Sequence, residues 1–194
     1  FVQIYGQGET PMTITALSRA EVADRANARW RARLGSVGRA QSCAEVRVCD
    51  ETGCALPPGE RGEILVRGPH VASGYWNDPD ATAAAFTDGW FHTGDVAEYD
   101  ENGDYWFRDR IKNVIISGGE NIYPAEAERV LREIAGIQDC CIVGRPDERW
   151  GAVPVAVIVA ERVVRVDHRD LLAELVGDPR GHRGDLRAHV CDAG

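Results

Sequence analysis

Residues 89–126 read GWFHTGDVAEYDENGDYWFRDRIKNVIISGGENIYPAE, and this stretch decides how the rest of the chain is read. Asp100-Glu101-Asn102-Gly103-Asp104 is a turn cluster, and Asn-Gly supplies the positive φ that tight hairpins need. The flanking runs Val96–Tyr99 and Tyr105–Phe107 are aromatic and β-branched, as strands should be. Two paired strands joined at this turn bring their far ends together, so Asp95 and Arg110 are expected to be neighbours. A carboxylate only accepts and a guanidinium only donates, so the pair suits the division of one ribose's hydroxyls. A plain ion pair at the base of a hairpin fits the same spacing, and surface pairs of that kind are common and weak.

Asn113–Ser117 follows as an apolar strand, then Gly118-Gly119-Glu120-Asn121. Pro124 opens a helix over Ala125–Ile134, with Ala127, Val130, Leu131 and Ile134 at helical spacing. A glycine pair between strand and helix permits a sharp bend or the close approach of a ligand. It is neither G-x-G-x-x-G nor a Walker A sequence. Alone it identifies nothing.

Together with GEILVRGPHVASGYW upstream and YGQGET near the start, GWFHTGDV and DRIKNVIISGGENIYPAEAE resemble four core motifs of the adenylate-forming superfamily, in that family's order. The superfamily holds acyl-CoA synthetases, luciferases and peptide-synthetase adenylation domains. The Asn-Ile-Tyr-Pro wording of the glycine stretch is most similar to the acyl-CoA synthetase branch. The resemblance implies the end of a large AMP-binding domain over residues 1–111, α/β in class with a small β-rich subdomain. A small, mobile α+β domain over 112–176 follows.

The resemblance also implies roles for individual residues. Tyr5 and Gly6 lie at the adenine edge, Glu9 is the acid that helps hold Mg²⁺ at the phosphates, and Asp95 and Arg110 take the ribose. Lys112 is the hinge between the two steps of the reaction, and Gly118, Gly119 and Glu120 line the thiol channel. Where the family places threonine before the metal acid, this chain has Gly8, and Thr10 is the substitute within reach by a small shift. Read without the resemblance, Glu9 is equally a solvated loop carboxylate and Lys112 an exposed charge at a strand end. Implied cofactors and substrates are ATP/AMP, Mg²⁺, coenzyme A and a carboxylic acid of the fatty-acid type.

The composition sets bounds on these readings. The 194 residues are 44% hydrophobic and 27% charged, ordinary for a globular protein. A net charge of −9 argues against nucleic acid and against an anionic membrane surface. No apolar run approaches membrane-spanning length, and a cytoplasmic protein is expected. Six cysteines form no C-x-x-C pair, Cys140 and Cys141 are adjacent, and the five histidines make no ligand motif. Reduced thiols are the expectation.

Along the chain, Phe1–Tyr5 reads as a strand met without a preceding turn, as though cut from something longer. Gly6–Thr10 reads as a flexible loop at its carboxyl end. Ser18-Arg19-Ala20-Glu21 is a capping box opening one helix with Val22, Ala26, Trp30 and Leu34 on its apolar stripe and a solvated basic face. Ala44–Asp50 and Gly62–Gly68 read as strands of a small antiparallel unit, and Asp78-Pro79 starts a helix that runs to about Phe86. Beyond the glycine pair come strands Ile137–Gly144 and Val153–Ala160 and a helix near Asp170–Val176. Residues 177–194, rich in Gly, Arg, Asp and His, read as a disordered or truncated tail.

Lys112 is the single lysine, so the lysine that closes the family's catalytic site has no counterpart after it. No lysine-bearing phosphate loop precedes the first motif either. The expectation is therefore an ATP-dependent acyl-CoA ligase present as a piece that is inactive by itself. The alternative is a non-catalytic AMP/ATP-binding module, or one that complements a separate chain carrying the missing domain.

Overall fold

The structure, a computed structural model, describes residues 1–160 and 187–192. It divides into two compact units, Phe1–Ile111 and Lys112–Gly194, both mixtures of sheet and helix.

The first unit holds two antiparallel sheets. β1 (Gln3–Gln7), β2 (Thr10–Leu17) and β3 (Arg39–Ala40) form one, in that order. The expected Gly6–Thr10 loop is thus a tight hairpin: Gly6 and Gln7 belong to β1, and Gln7 faces Thr10 across the turn. Gly6 is dictated by backbone crowding there, since a Cβ would stand 2.5 Å from the Met12 nitrogen and the Thr10 carbonyl.

The second sheet runs β4 (Glu45–Cys49), β5 (Gly62–Arg67), β7 (Trp90–Tyr99) and β6 (Phe86–Thr87), with β8 (Tyr105–Arg110) also paired to β7. Val48, Ile64, Val66, Phe91 and Ala97 are buried, in strands that carry buried runs such as Ile64–Val66 and Asp95–Ala97. Ile64, Val66, Phe91 and Ala97 form one core with Ile14 of β2. The β7–β8 turn closes as an Asx turn, with Asp100 Oδ1 accepting from the Asn102 and Asp104 amides. Of the Asn-Gly pair, Gly103 alone takes positive φ, at 76°.

The single helix expected after Ser18 is two short ones, α1 (Arg19–Ala23) and α2 (Trp30–Arg33). The capping box is present as read, but the faces are not. Leu34 is 41% exposed while Arg33 is 7% exposed, because a buried carboxylate calls the cations inward. Asp104, 0% exposed, lies 3.3 Å from Arg29, 3.5 Å from Arg33 and 3.1 Å from Arg39. Arg29 also pairs with Asp100. Helix α3 (Pro79–Ala85) starts where Asp78-Pro79 signalled, with the Asp78 carboxylate accepting from the Ala81 amide at 3.0 Å.

A 3₁₀ turn at Ile111–Asn113 takes in the first residue of the strand expected over Asn113–Ser117, and β9 is the shorter Ile115–Ser117. β10 (Glu120–Ile122) pairs back on β9, with Glu120 opposite Ser117. Gly118-Gly119 is therefore the two-residue turn of a hairpin rather than a bend from strand into helix. Positive φ at both, 60° and 88°, is what such a turn needs. Helix α4 (Pro124–Arg132) sets Ala127 and Leu131 against Cys140, Ile142, Ala156 and Ile158 of β11 (Ile137–Asp147) and β12 (Gly151–Ala160). Cys140 is buried and Cys141 exposed, as alternation along β11 requires.

β13 (Arg187–Asp192) pairs parallel with β12. The tail reading is corrected there: residues 187–192 form a strand, because a parallel ladder along Val155–Ala160 supplies the pairing that local composition does not advertise. The expected helix near 170–176 and the rest of that tail lie outside the described residues. No helix among the described residues is long and apolar enough to cross a membrane.

Candidate functional site: a buried carboxylate at the base of a hairpin

Asp95 and Arg110 are register partners across β7 and β8, as the turn between them requires. The arginine Nε stands 3.4 Å from Asp95 Oδ1. The carboxylate itself is buried, 3% exposed, which sets it apart from an ordinary surface ion pair. Its two oxygens are used unequally. Oδ2 accepts from the Tyr5 hydroxyl at 2.8 Å and from Gln7 Nε2 at 2.6 Å. Oδ1 has no hydrogen bond among the described residues. A buried carboxylate oxygen without a donor is costly, and a ligand hydroxyl would relieve that cost.

Tyr5 is thus brought to Asp95, with Gly6 beside it in β1. Burial, then the Asp95 charge and the bond to it, raise the Tyr5 phenol well above its ordinary range. The Tyr5 hydroxyl is therefore a fixed donor to Asp95 near neutral pH. Gln7 was missed in the sequence. A glutamine in a turn-like run carries no signal, and only the fold of β1 against β7 brings it to Asp95. Its second donor contact, to the Thr93 carbonyl at 3.0 Å, settles its orientation, because both partners are pure acceptors.

Glu9 takes the hydroxyl of Tyr75, with Oε1 accepting at 2.6 Å. This bond, then burial, pushes the Tyr75 phenol up to about 12. Among the described residues no group of three or more His, Cys, Asp or Glu could hold a metal. One carboxylate suits a Mg²⁺ ion that arrives on nucleotide phosphates and keeps most of its other ligands there. It does not suit a cation held by the protein alone. Thr10 is fully buried, and its Oγ1 has no hydrogen bond among the described residues, so it stands inside the fold and not at its surface. At Gly8 a Cβ would meet nothing within 4 Å, so local packing does not demand glycine there.

In the second unit, Lys112 is exposed within the 3₁₀ turn. Gly118, Gly119 and Glu120 are exposed at the β9–β10 turn. Gly118 donates its amide to the Trp150 carbonyl at 2.9 Å, and a Cβ at Gly118 would stand 2.6 Å from the Trp150 ring. Trp150 was also missed, since it joins this turn only through the β9–β12 contact.

Comparison with known proteins identifies the family. The family described as AMP-binding enzyme matches residues 1–76, and the AMP-binding enzyme C-terminal domain matches residues 126–191. A feruloyl-CoA synthase of Amycolatopsis sp is 46% identical over 175 residues, 90% of this chain and 34% of its own length. A medium/long-chain-fatty-acid–CoA ligase of Mycobacterium tuberculosis is 40% identical over 97% of this chain and 32% of its own. Among solved structures, the O-succinylbenzoate coenzyme A synthetase from Bacillus subtilis, in complex with ATP and magnesium ion, superposes with a TM-score of 0.79 at 33% identity. It is matched over 98% of this chain and 37% of its own. The chain thus spans about a third of the length of the relatives it matches. With both family domains matched in their order around the Asp95–Arg110 hairpin, this chain belongs to the adenylate-forming, AMP-binding superfamily.

Proposed function

We propose that this chain supplies the ribose, hinge and thiol-channel elements of an ATP-dependent acid–thiol ligase. In the whole reaction a carboxylate attacks the α-phosphorus of ATP, and the bond to pyrophosphate breaks. The thiol of coenzyme A then attacks the acyl carbon of the resulting mixed anhydride, and AMP leaves with the electron pair. Catalysis of this kind rests on positioning and on stabilising charge as it develops. Asp95 Oδ1 accepts a ribose hydroxyl and Arg110 donates to the same sugar. Tyr5 and Gly6 border the adenine, and Glu9 would help hold a Mg²⁺ ion brought by the phosphates, whose charge it would offset.

Two reactions in one pocket require different donors in turn. Lys112 is the position that absorbs the change of dihedral angle, and Gly118, Gly119 and Glu120 flank the path of the thiol. The observation that carries this reading is the buried Asp95 carboxylate, whose Oδ1 is left without a hydrogen bond beside Arg110. The resemblance to ligases of aryl and fatty acids supports a carboxylic acid as the substrate to be activated.

A second reading has its own observation. Within this sequence Lys112 is the single lysine, so none of the residues after it supplies the cation that the family uses in adenylate formation. By themselves these residues would then bind AMP or ATP without turning it over unaided, or complete a separate chain.

Calorimetric titration of AMP with Mg²⁺ into the purified chain tests the common ground of both. Saturable heat that is lost in a folded Asp95→Ala variant is the expected result. Undiminished heat in Asp95→Ala would overturn the ribose assignment, and no heat from the folded wild-type chain would overturn the autonomous module.

A further inference from the structure

Asp95 does not lie in a regular strand. β5 and β7 pair Glu63 with Val96 and Leu65 with His92. Ile64 therefore stands alone opposite Thr93, Gly94 and Asp95, a three-against-one bulge in β7. A bulge strips backbone groups of their ladder partners, and buried backbone groups must find others. Here side chains supply them. Gly94, at φ 68°, donates its amide to Glu63 Oε1 at 2.9 Å. Thr93 Oγ1 donates to the Ile64 carbonyl at 2.8 Å and accepts from the Asp95 amide at 3.1 Å. Gln7 donates to the Thr93 carbonyl.

Glu63 is itself tethered: His92 Nδ1 lies 2.8 Å from its Oε2. With Glu63 ionised it only accepts, so Nδ1 carries the proton. The carboxylate is 17% exposed, and both of its oxygens are committed.

We propose that Glu63 is a positioning residue for the nucleotide site: by bridging the Gly94 amide and the His92 imidazole it holds the Thr93–Asp95 bulge, and the bulge fixes which oxygen of Asp95 meets the ligand. This rests on the reading of Asp95 as the ribose acceptor. The consequence is a division of labour within His-Thr-Gly-Asp. His92 tethers Glu63, Thr93 closes the bulge, Gly94 takes the left-handed turn, and Asp95 is delivered with Oδ2 against Tyr5 and Gln7 and with Oδ1 beside Arg110 but without a hydrogen bond.

The test uses the ¹⁵N-labelled chain with Glu63→Ala, Glu63→Gln and Asp95→Ala. The first readout is the Gln7 carboxamide resonance, which reports the Asp95 Oδ2 bond without any nucleotide. The second is the preference for AMP over 2′,3′-dideoxy-AMP. In Glu63→Ala the Gln7 signal should move to its position in Asp95→Ala, and the preference for AMP should fall about tenfold, the scale of one hydrogen bond to a charged group. Glu63→Gln should restore most of both, since its carbonyl still accepts from Gly94 and its amide can donate to the other His92 tautomer.

A folded Glu63→Ala with a wild-type Gln7 signal and an unchanged preference would overturn the proposal. If the wild type shows no preference for AMP, the ribose reading of Asp95 fails, and the Gln7 signal alone then decides whether Glu63 orients the carboxylate. If Glu63→Ala does not fold, His92→Ala replaces it: removing the tether must shift the Gln7 signal part of the way, and an unmoved signal counts against the proposal.

Discussion

Arg110 stands directly across the β7–β8 ladder from Asp95, with Nε 3.4 Å from an oxygen that accepts no hydrogen bond. Arg110 is half-exposed while Asp95 is buried. The pair is thus open on one side, with the arginine reaching solvent and the acid held by Tyr5 and Gln7. Arg110→Ala should therefore weaken AMP binding about tenfold or less, and Asp95→Ala more than that, because only Asp95 is held in advance of the ligand. In a full-length relative carrying this sequence, neither change should alter affinity for coenzyme A. Equal losses for AMP and coenzyme A in steady-state kinetics would sink the ribose assignment.

Gly8 occupies the position where the family has threonine, and nothing lies within 4 Å of a Cβ placed there. Gly8→Thr should fold normally and tighten MgATP binding about tenfold, the scale of one hydroxyl on a charged phosphate. Unchanged affinity, measured by calorimetry, would mean that the β1–β2 turn does not face the phosphates.

Three tyrosines hold their protons more tightly in the fold than the ordinary value of 10.0. Burial and the Asp95 charge act on Tyr5, the Glu9 bond on Tyr75, and burial with neighbouring Tyr99 on Tyr105. Tyr75 and Tyr105 are pushed up to about 12 and Tyr5 further. A raised phenol stabilises the fold fully below its unfolded value of 10.0. That contribution is lost as pH rises through the folded value. Ultraviolet titration should show late-ionising tyrosines between pH 10 and unfolding, one fewer in Tyr5→Phe. Complete ionisation around pH 10 with the fold intact would contradict the hydrogen bond to Asp95.

Asp104 is the carboxylate on which Arg29, Arg33 and Arg39 converge. Asp104→Ala should cost about 3–5 kcal/mol, because it strands the buried Arg33 guanidinium without its counter-charge. Glu45→Ala, which removes an exposed partner of Arg47 and Arg67, should cost far less, because solvent screens those pairs. Urea unfolding that ranks the two equally would refute the burial argument.

At the β9–β10 turn, both glycines have positive φ, but only Gly118 faces the Trp150 ring. Gly119→Ala should cost about 1–2 kcal/mol for its left-handed backbone. Gly118→Ala should cost about 1–3 kcal/mol more, the range for overpacking. The excess should vanish in a Trp150→Ala background.

The parts of this protein legible in the sequence are those with a local cause. Asp100–Asp104 makes its own turn, so the hairpin and the Asp95–Arg110 pairing follow from it. Alternation and helical spacing place β4, α4 and the Ala127–Leu131 face in the same way. The readings that failed depended on distant partners. The Ser18 helix was assigned its faces from periodicity, but Asp104, far along the chain, draws Arg33 inside. Residues 187–192 look polar and structureless until β12 offers its edge.

The sequence by itself determined the family and the order of its motifs, the hairpin register, and the residue types available for a nucleotide. Only the tertiary structure decided how Asp95 is held. Tyr5, Gln7 and Glu63 come from strands whose pairing in space no local pattern specifies, and a carboxylate becomes a fixed, half-satisfied acceptor only when such neighbours bury it and occupy one of its two oxygens.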